Sequence, residues 1–444
     1  MISTVIAGAA IVDGTGRPRF VTDVAVTDEH IVRIGSCEDV ESVERVDGRG
    51  LVLAPGFIDA CSHTNDGWLS LPGWTSSLAQ GITTEVTGTC GMSAFDPELH
   101  ERQPAVTRRS FASDPVTMRA ACEAGAIGAS LDLRSVSPAQ ALAAAQAACA
   151  GGSPRLAVHL RDYGRELSDA LEEAISLAAA SGAALHIAHL QAQQTQTRIH
   201  LERALERIDR ARTHGIAVTC DIYPYVAAWI DLDSLLPPGL SRDALDDEGI
   251  ASAAGLEMEA RLGDRWHDFM LAEVSSEERL AWCGMRLDEI ARQMRMRPAR
   301  AVIECIRRDG ERARAFWFAL REDDVAAALS AGFCCVGTAA PACSFHDGRF
   351  GLVHPRTFGT TARIVGRFVR GRRTLTLEEA IYRMTALPAR IFGLDGYGEL
   401  TEGARADLVL FDERTFVDTA TYDRPVSAPA GLKHVWIAGR RKGA

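Results

Sequence analysis

Residues 2–55 alternate short apolar runs with glycine and aspartate. The runs are Val5-Ile6, Ile11-Val12, Val24-Ala25-Val26 and Ile31-Val32-Arg33-Ile34, and tight turns such as Asp13-Gly14-Thr15-Gly16 join them. Strand-length runs bounded by turn residues predict a small β unit. From residue 53 the pattern changes to strand–helix alternation. Eight strand candidates follow, at 53–61, 82–87, 126–131, 156–160, 184–189, 216–222, 315–319 and 333–338. Helices are predicted between them. Residues 168–180 carry an apolar stripe of 3.6-residue period, 201–212 ends before Gly215, and 376–384 opens on a Thr376–Glu379 capping box. About 90 residues separate the sixth and seventh candidates, and β character returns after 395.

Eight βα units predict an α/β fold, a (β/α)8 TIM-like barrel. The expected division is a barrel over 53–394 with an insertion at about 230–312, and a small β-sandwich domain built from 1–52 and 395–444.

Composition narrows the chemistry. The chain has 444 residues, 47% hydrophobic and 24% charged, enough for a large core. Its net charge of −11 argues against nucleic acid and anionic membranes as partners, and leaves a small-molecule substrate. Only Lys433 and Lys442 are lysines, both near the C-terminus. A Schiff base, a P-loop lysine and a carbamylated lysine between two metals are therefore excluded from the body of the chain. The 11 cysteines are scattered, without a Cys-x-x-Cys pair, as in reduced cytoplasmic proteins. No apolar run reaches the length of a membrane span, and the N-terminus reads as strand and turn, not as a signal peptide.

Barrel active sites lie at the C-terminal ends of the strands. Those ends carry Cys61 and His63, then Cys90, His159 and Arg161, His189, and finally Asp221 and Tyr223. Three histidines and two cysteines aimed at one mouth are soft N and S ligands of the kind zinc takes. Each has a packing alternative, strongest for Cys61. His186, three residues before His189, is expected on the opposite strand face in a structural role. Arg161 could hold a substrate carboxylate by a bidentate pair, or form a salt bridge within the barrel. His159, Tyr223 and Tyr225 are candidates for the pocket lining. His354 and Arg356 are expected to brace the loop after the last strand.

Several motifs resemble a known family. Leu51-Val-Leu-Ala-Pro-Gly-Phe-Ile-Asp59-Ala-Cys-Ser-His63 is similar to the first-strand signature of the amidohydrolase superfamily. Gln80-Gly-Ile-Thr-Thr-Glu-Val-Thr-Gly-Thr-Cys90-Gly, Asp221-Ile-Tyr-Pro-Tyr225, His354-Pro-Arg-Thr-Phe-Gly359 and Gly398-Glu-Leu-Thr-Glu-Gly-Ala-Arg-Ala-Asp407 resemble segments of the N-acyl-D-amino-acid deacylases (D-aminoacylases). The resemblance spans essentially the whole chain. It implies metal-dependent hydrolysis of an N-acyl bond, usually with zinc, and an aspartate on the last strand as general base and acid. It also implies that Cys90 is the metal-bridging residue, His189 the strand-5 ligand, and His63 the second histidine of a His-x-His pair.

The sequence departs from that pattern at three places. Cys61 stands where the first histidine of the pair is expected. Ala339, in Val336-Gly-Thr-Ala339-Ala-Pro, stands at the catalytic aspartate. Near the end of the sixth strand candidate only Cys220, Asp221 and Tyr223 are present where a further histidine ligand is expected. One zinc ion, or none, is then expected on Cys90, His189, His63, Cys61 and Cys220, and a closed set of two sulfurs and two nitrogens would be structural. Three functions remain open. One is an amidohydrolase using another proton-transfer group, with Asp66, Cys61, His346 and Asp347 as candidates. Another is the same fold turned to acyl transfer, cyclisation or isomerisation, metal-free or with Cys61 or Cys90 as nucleophile. The last is an inactive binding or partner subunit.

Overall fold

The computed structural model describes residues 2–64, 75–92, 107–114, 116–193, 197–345 and 351–442, and for 107–110 the backbone alone. Asp66, His346 and Asp347 lie outside the described residues.

The strands Phe57–Asp59, Ile82–Thr87, Thr107–Ser110, Ala129–Asp132, Arg155–His159, Ala184–Ile187, Val218–Ile222 and Cys334–Val336 form a ring. Neighbours pair in parallel within each run. Two seams complete the circle. Ala112 bridges Ala129 between the third and fourth strands, and Ser62 bridges Ala340 between the last and the first. At the second seam Ala339 N–H donates to Cys61 O at 2.7 Å.

Period-two alternation sorts the side chains. Leu156, Val158, Leu185, Ile187, Val218, Cys220, Cys334 and Val336 pack outward in the same core cluster as Leu171, Ile175, Leu201 and Ile208 of the surrounding helices. Ile58, Ala60, Val86, Ala157 and Cys335 point inward and meet Phe392, from the helix Ala386–Phe392. The helices Leu167–Ser181 and Thr197–Thr213 fall where the apolar period placed them. The Thr376–Glu379 capping box forms, Thr376 N–H donating to Glu379 Oε2 at 2.8 Å and Glu379 N–H to Thr376 Oγ1 at 3.2 Å.

Two strand expectations require correction. Residues 315–319 were expected in the ring. Instead Arg314–Trp317 is the central strand of a separate antiparallel sheet, between Ala228–Asp231 and Phe269–Glu273. That sheet and the helices Glu248–Leu262, Leu287–Met294 and Pro298–Asp309 enclose a core of their own. The helix Glu322–Ser330 follows Arg314–Trp317, so the local pattern imitates a βα unit. The ring takes Thr107–Ser110 instead, a strand whose Thr-Arg-Arg-Ser sequence carries no apolar run. The count from the fourth strand onward therefore shifts by one. His159 closes the fifth ring strand, and the sixth, Ala184–Ile187, leads to His189.

Both chain ends contribute to one hydrogen-bonded sheet. Its path runs Arg440–Lys442, Leu432–Ile437, Leu408–Phe411, Val52–Pro55, Ile2–Ile11, Phe20–Thr27 and His30–Ile34, with Ser42–Asp47 also paired to Ile2–Ile11. Ile6, Ile11, Val24, Leu53, Leu408 and Trp436 form its core. No helix among the described residues is long and apolar enough to cross a membrane.

Candidate metal centre

Glycines prepare the position of Cys90. Gly88 and Gly91 flank it with φ of +74° and +68°, and Cys90 itself has φ +59°. A left-handed turn is costly for a side-chain-bearing residue, and here it follows directly on the second ring strand. Cys90 is buried, and its Sγ lies 3.4 Å from His189 Nε2.

His189 reaches the same point by a similar device. Strand alternation sends His186 and Ala188 inward and would send His189 outward. A φ of +38° at His189 turns it back into the mouth. Asp221 holds that turn. Its Oδ1 accepts from His189 N–H at 3.1 Å and lies 3.1 Å from His186 Nε2, whose ring places Nδ1 3.0 Å from Thr219 Oγ1. With the proton on Nε2, His186 donates to Asp221 and accepts from Thr219. His186 therefore points into the ring like His189, contrary to the opposite-face expectation, and its part is to brace Asp221. Gly337 passes close by: a Cβ there would lie 2.5 Å from Asp221 Oδ2 and 2.8 Å from Cys61 Cβ.

His159 joins the group from the fifth strand. Its ring centroid is 4.9 Å from that of His189, and its Nδ1 lies 2.8 Å from Leu160 O. With the proton on Nδ1 and donated to that carbonyl, Nε2 keeps a free lone pair, the arrangement that orients metal-binding histidines. Tyr163 packs edge-on against His159 at 4.9 Å. Its hydroxyl donates to Ala188 O at 2.9 Å and accepts from Leu160 N–H at 3.1 Å, tying the two strand ends together.

Across the mouth, ligand atoms of Cys61, His63 and Cys90 all lie within 4.8 Å of one another. Cys61 Sγ is 3.8 Å from His63 Nε2 and 3.3 Å from Thr89 Oγ1. Asp59 fixes the base of this side, accepting from Cys61 N–H at 3.1 Å, Thr338 N–H at 2.8 Å and Thr338 Oγ1–H at 2.6 Å. Burial pushes the Asp59 carboxyl up to about 7.

The electrostatics suit a cation. Burial, with Arg356 adding repulsion, lowers His63 to about 3. Burial and Arg134 lower His159 to about 4, and burial with the two neighbouring histidines lowers His189 well below its ordinary value. All three imidazoles are neutral at neutral pH, which is the ligating form. The buried Nδ1 of His189 has no hydrogen-bond partner in the protein. The adjacent Cys90 thiol and burial raise Cys61 well above an ordinary thiol. A tetrahedral zinc with ordinary bond lengths separates S and N ligands by about 3.6 Å. The 3.4 Å and 3.8 Å S···N spacings match that edge.

Comparisons with known proteins bear on the fold and the family. A model of the amidohydrolase family matches residues 249–441. The N-acyl-D-glutamate deacylase of Alcaligenes xylosoxydans xylosoxydans is 28% identical, over 99% of this chain and 93% of that one. The D-aminoacylase of the same organism is also 28% identical, over 98% and 93%. The crystal structure of N-acyl-D-glutamate deacylase from Bordetella bronchiseptica, complexed with zinc and a phosphonate inhibitor, is 27% identical. It superposes with a TM-score of 0.82, covering 99% of this chain and 96% of that one. The chain is similar over nearly its whole length to the D-aminoacylases among the amidohydrolases.

Within this amidohydrolase, two expected site residues and one expected gap need correction. Cys220 is not a ligand. Because Asp221 points inward, Cys220 points outward into the core shared with Cys334. Arg161 does not face a substrate carboxylate. Its guanidinium is spent on Glu173 at 2.9 Å and 2.8 Å and on Val136 O at 3.2 Å. The expected gap at the sixth strand disappears, since His189 occupies that end and His159 the fifth.

Tyr223 and Tyr225 are both buried at the mouth beside Cys61, Cys90 and Ala339. Tyr223 donates to Gln191 Oε1 at 2.6 Å, and the Arg356 guanidinium stacks 4.4 Å over its ring. Arg356 also donates to Ala339 O at 2.6 Å and leaves its buried Nε unpartnered. His354 accepts from Arg356 N–H at 3.1 Å and lies 3.0 Å from Ala227 O. Sequence reasoning missed Tyr163, Tyr422 and Asp418. Tyr422 reaches the mouth from beyond the barrel, 5.1 Å from the His354 ring and 4.8 Å from Phe318. Asp418 accepts from the Tyr225 hydroxyl at 3.3 Å and from Arg363 at 3.1 Å. No local motif marks either residue, because both act through the return of the chain.

Proposed function

We propose that this amidohydrolase cleaves the amide bond of an N-acyl amino acid at the barrel mouth, with metal assistance and weak proton transfer. The observation that carries the proposal is the convergence of Cys90, His159 and His189. Three strand ends bring one thiol and two neutral imidazoles together, with Cys90 Sγ 3.4 Å from His189 Nε2 and the His159 and His189 rings 4.9 Å apart. An ion held by Cys90 and His189, with the His159 ring 4.9 Å from that of His189, would keep the open position that a catalytic site needs. Bound there, it would polarise the amide carbonyl and lower the pKa of water.

The protein's own groups do the rest. Arg356, held on Tyr223 and Ala339 O, offers its guanidinium to the substrate carboxylate in place of Arg161. Tyr223, Tyr225 and Tyr422 wall the pocket and exclude water. At position 339 no side chain can move a proton, so the step served by general acid–base catalysis is left slow, by roughly 10²–10⁴. The full-length match to deacylases does not favour the non-hydrolytic reading or the inactive one.

We assign 56–394 to the barrel and 1–55 with 395–444 to the small β domain, three residues beyond the expected boundary because Val52–Pro55 pairs in the chain-end sheet. The 11 scattered cysteines, without a Cys-x-x-Cys pair, support a reducing compartment, the cytoplasm. The test is amine release from N-acyl-D-glutamate, N-acyl-D-aspartate and N-acyl derivatives of apolar D-amino acids. Slow turnover that His189→Ala abolishes is expected. No turnover of any member by folded, metal-loaded protein would overturn the proposal.

A further inference from the structure

We propose that Cys61 is a metal ligand, forming with His63 and Cys90 a two-thiolate subsite beside the Cys90–His159–His189 group. The inference rests on the metal reading of this mouth and deepens it. Cys61, His63 and Cys90 already present their ligand atoms within 4.8 Å of one another. Ideal tetrahedral edges are about 3.6 Å for S···N and about 3.8 Å for S···S, so small side-chain rotations close the set. The backbone of Cys61 is fixed from both sides, by Asp59 accepting its N–H and by Ala339 donating to its carbonyl at 2.7 Å. Thr89 Oγ1, 3.3 Å from Cys61 Sγ, supplies the outer hydrogen bond that orients a thiolate ligand.

Use of Cys61 as a nucleophile requires an accessible thiolate. Cys61 is fully buried, and its neighbours are Cys90, His63 and Thr89. Two thiolates and one imidazole select soft ions, zinc, cadmium or copper(I), over magnesium or manganese. Two thiolates also cancel the charge of a divalent ion. The subsite therefore binds tightly and polarises a carbonyl weakly, which leaves the reaction to the His159–His189 side.

The experiment is cobalt(II) titration of the chelator-treated full-length protein, read by the sulfur-to-metal charge-transfer band. That band grows with the number of thiolates bound. Cys61→Ser should lower its intensity per chain to about half, because one of two thiolate ligands is lost. Cys61→His should restore the wild-type metal stoichiometry at the lowered intensity, which a merely structural cysteine would not do. Equal band intensity in wild type and folded Cys61→Ser overturns the assignment while leaving the metal reading intact. Absence of the band from folded wild type overturns both.

Discussion

Replacing Ala339 by aspartate should raise the deacylation rate. Ala339 is buried in the pocket beside Cys61, Cys90 and Tyr223, and its backbone has φ +46°. That left-handed conformation is unfavourable for alanine and several-fold enriched in aspartate and asparagine. Its N–H and C=O are already fixed, to Cys61 O at 2.7 Å and by Arg356 at 2.6 Å. The new side chain therefore needs no change of backbone. A buried carboxylate is costly unless paired, and here the Arg356 guanidinium and a bound cation offset that cost. A positioned general base contributes about 10²–10⁴ in rate, which is about 3–5 kcal/mol off the barrier. The assay is kcat for amine release from an N-acyl-D-amino acid by metal-loaded protein. Ala339→Asn serves as control, having the same shape and backbone preference without the base. Ala339→Asp should exceed both wild type and the asparagine variant by at least tenfold. If aspartate and asparagine variants match while both stay folded and loaded, position 339 is not what limits the reaction.

Other outcomes follow from the same structure. Glu322 accepts from Arg367 at 2.8 Å and 2.6 Å and from Arg372 at 3.0 Å, which lowers it to about 2. Because the folded value lies below the ordinary one, its stabilisation is present above about pH 4.5 and lost as pH falls toward 2. Glu322→Gln should cost about 1 kcal/mol at neutral pH, discounted for exposure, and flatten the acid limb of the urea-unfolding profile. Phe392 is fully buried inside the ring, 4.9 Å from the His186 ring and 5.9 Å from that of Phe111. Phe392→Ala should cost about 3–5 kcal/mol in unfolding free energy, and a loss below 1 kcal/mol would contradict its place in the core. Arg161→Ala should leave KM within about twofold of wild type, because what is lost is a partly exposed salt bridge to Glu173 and a hydrogen bond to Val136 O, neither at the mouth.

Much of the fold can be read from the chain because its signals are local. The apolar period of Leu167–Ser181 and the capping box at Thr376 specify helices without help from distant residues. Ring membership is different. Thr107–Ser110 has no apolar signature and is recruited by pairing with Ile82–Thr87, whereas Arg314–Trp317 has the signature and is captured by the insertion. One missed strand shifted the count and made a present histidine look absent. In the site, Cys90 is legible from its flanking glycines. The inward turn of His189 is not, since it depends on a positive φ secured by Asp221 from the next strand. The outward direction of Cys220 follows from that same aspartate pointing in.

The most direct measurement is the metal content of the full-length protein, purified without chelator, alongside Cys90→Ala and His189→Ala. Functional zinc sites bind tightly, so at least about one ion per chain is expected in the wild type, with strong loss in both variants. Less than about 0.2 ion per chain in folded wild type, after zinc is offered, would contradict a metal-assisted amidohydrolase at this mouth.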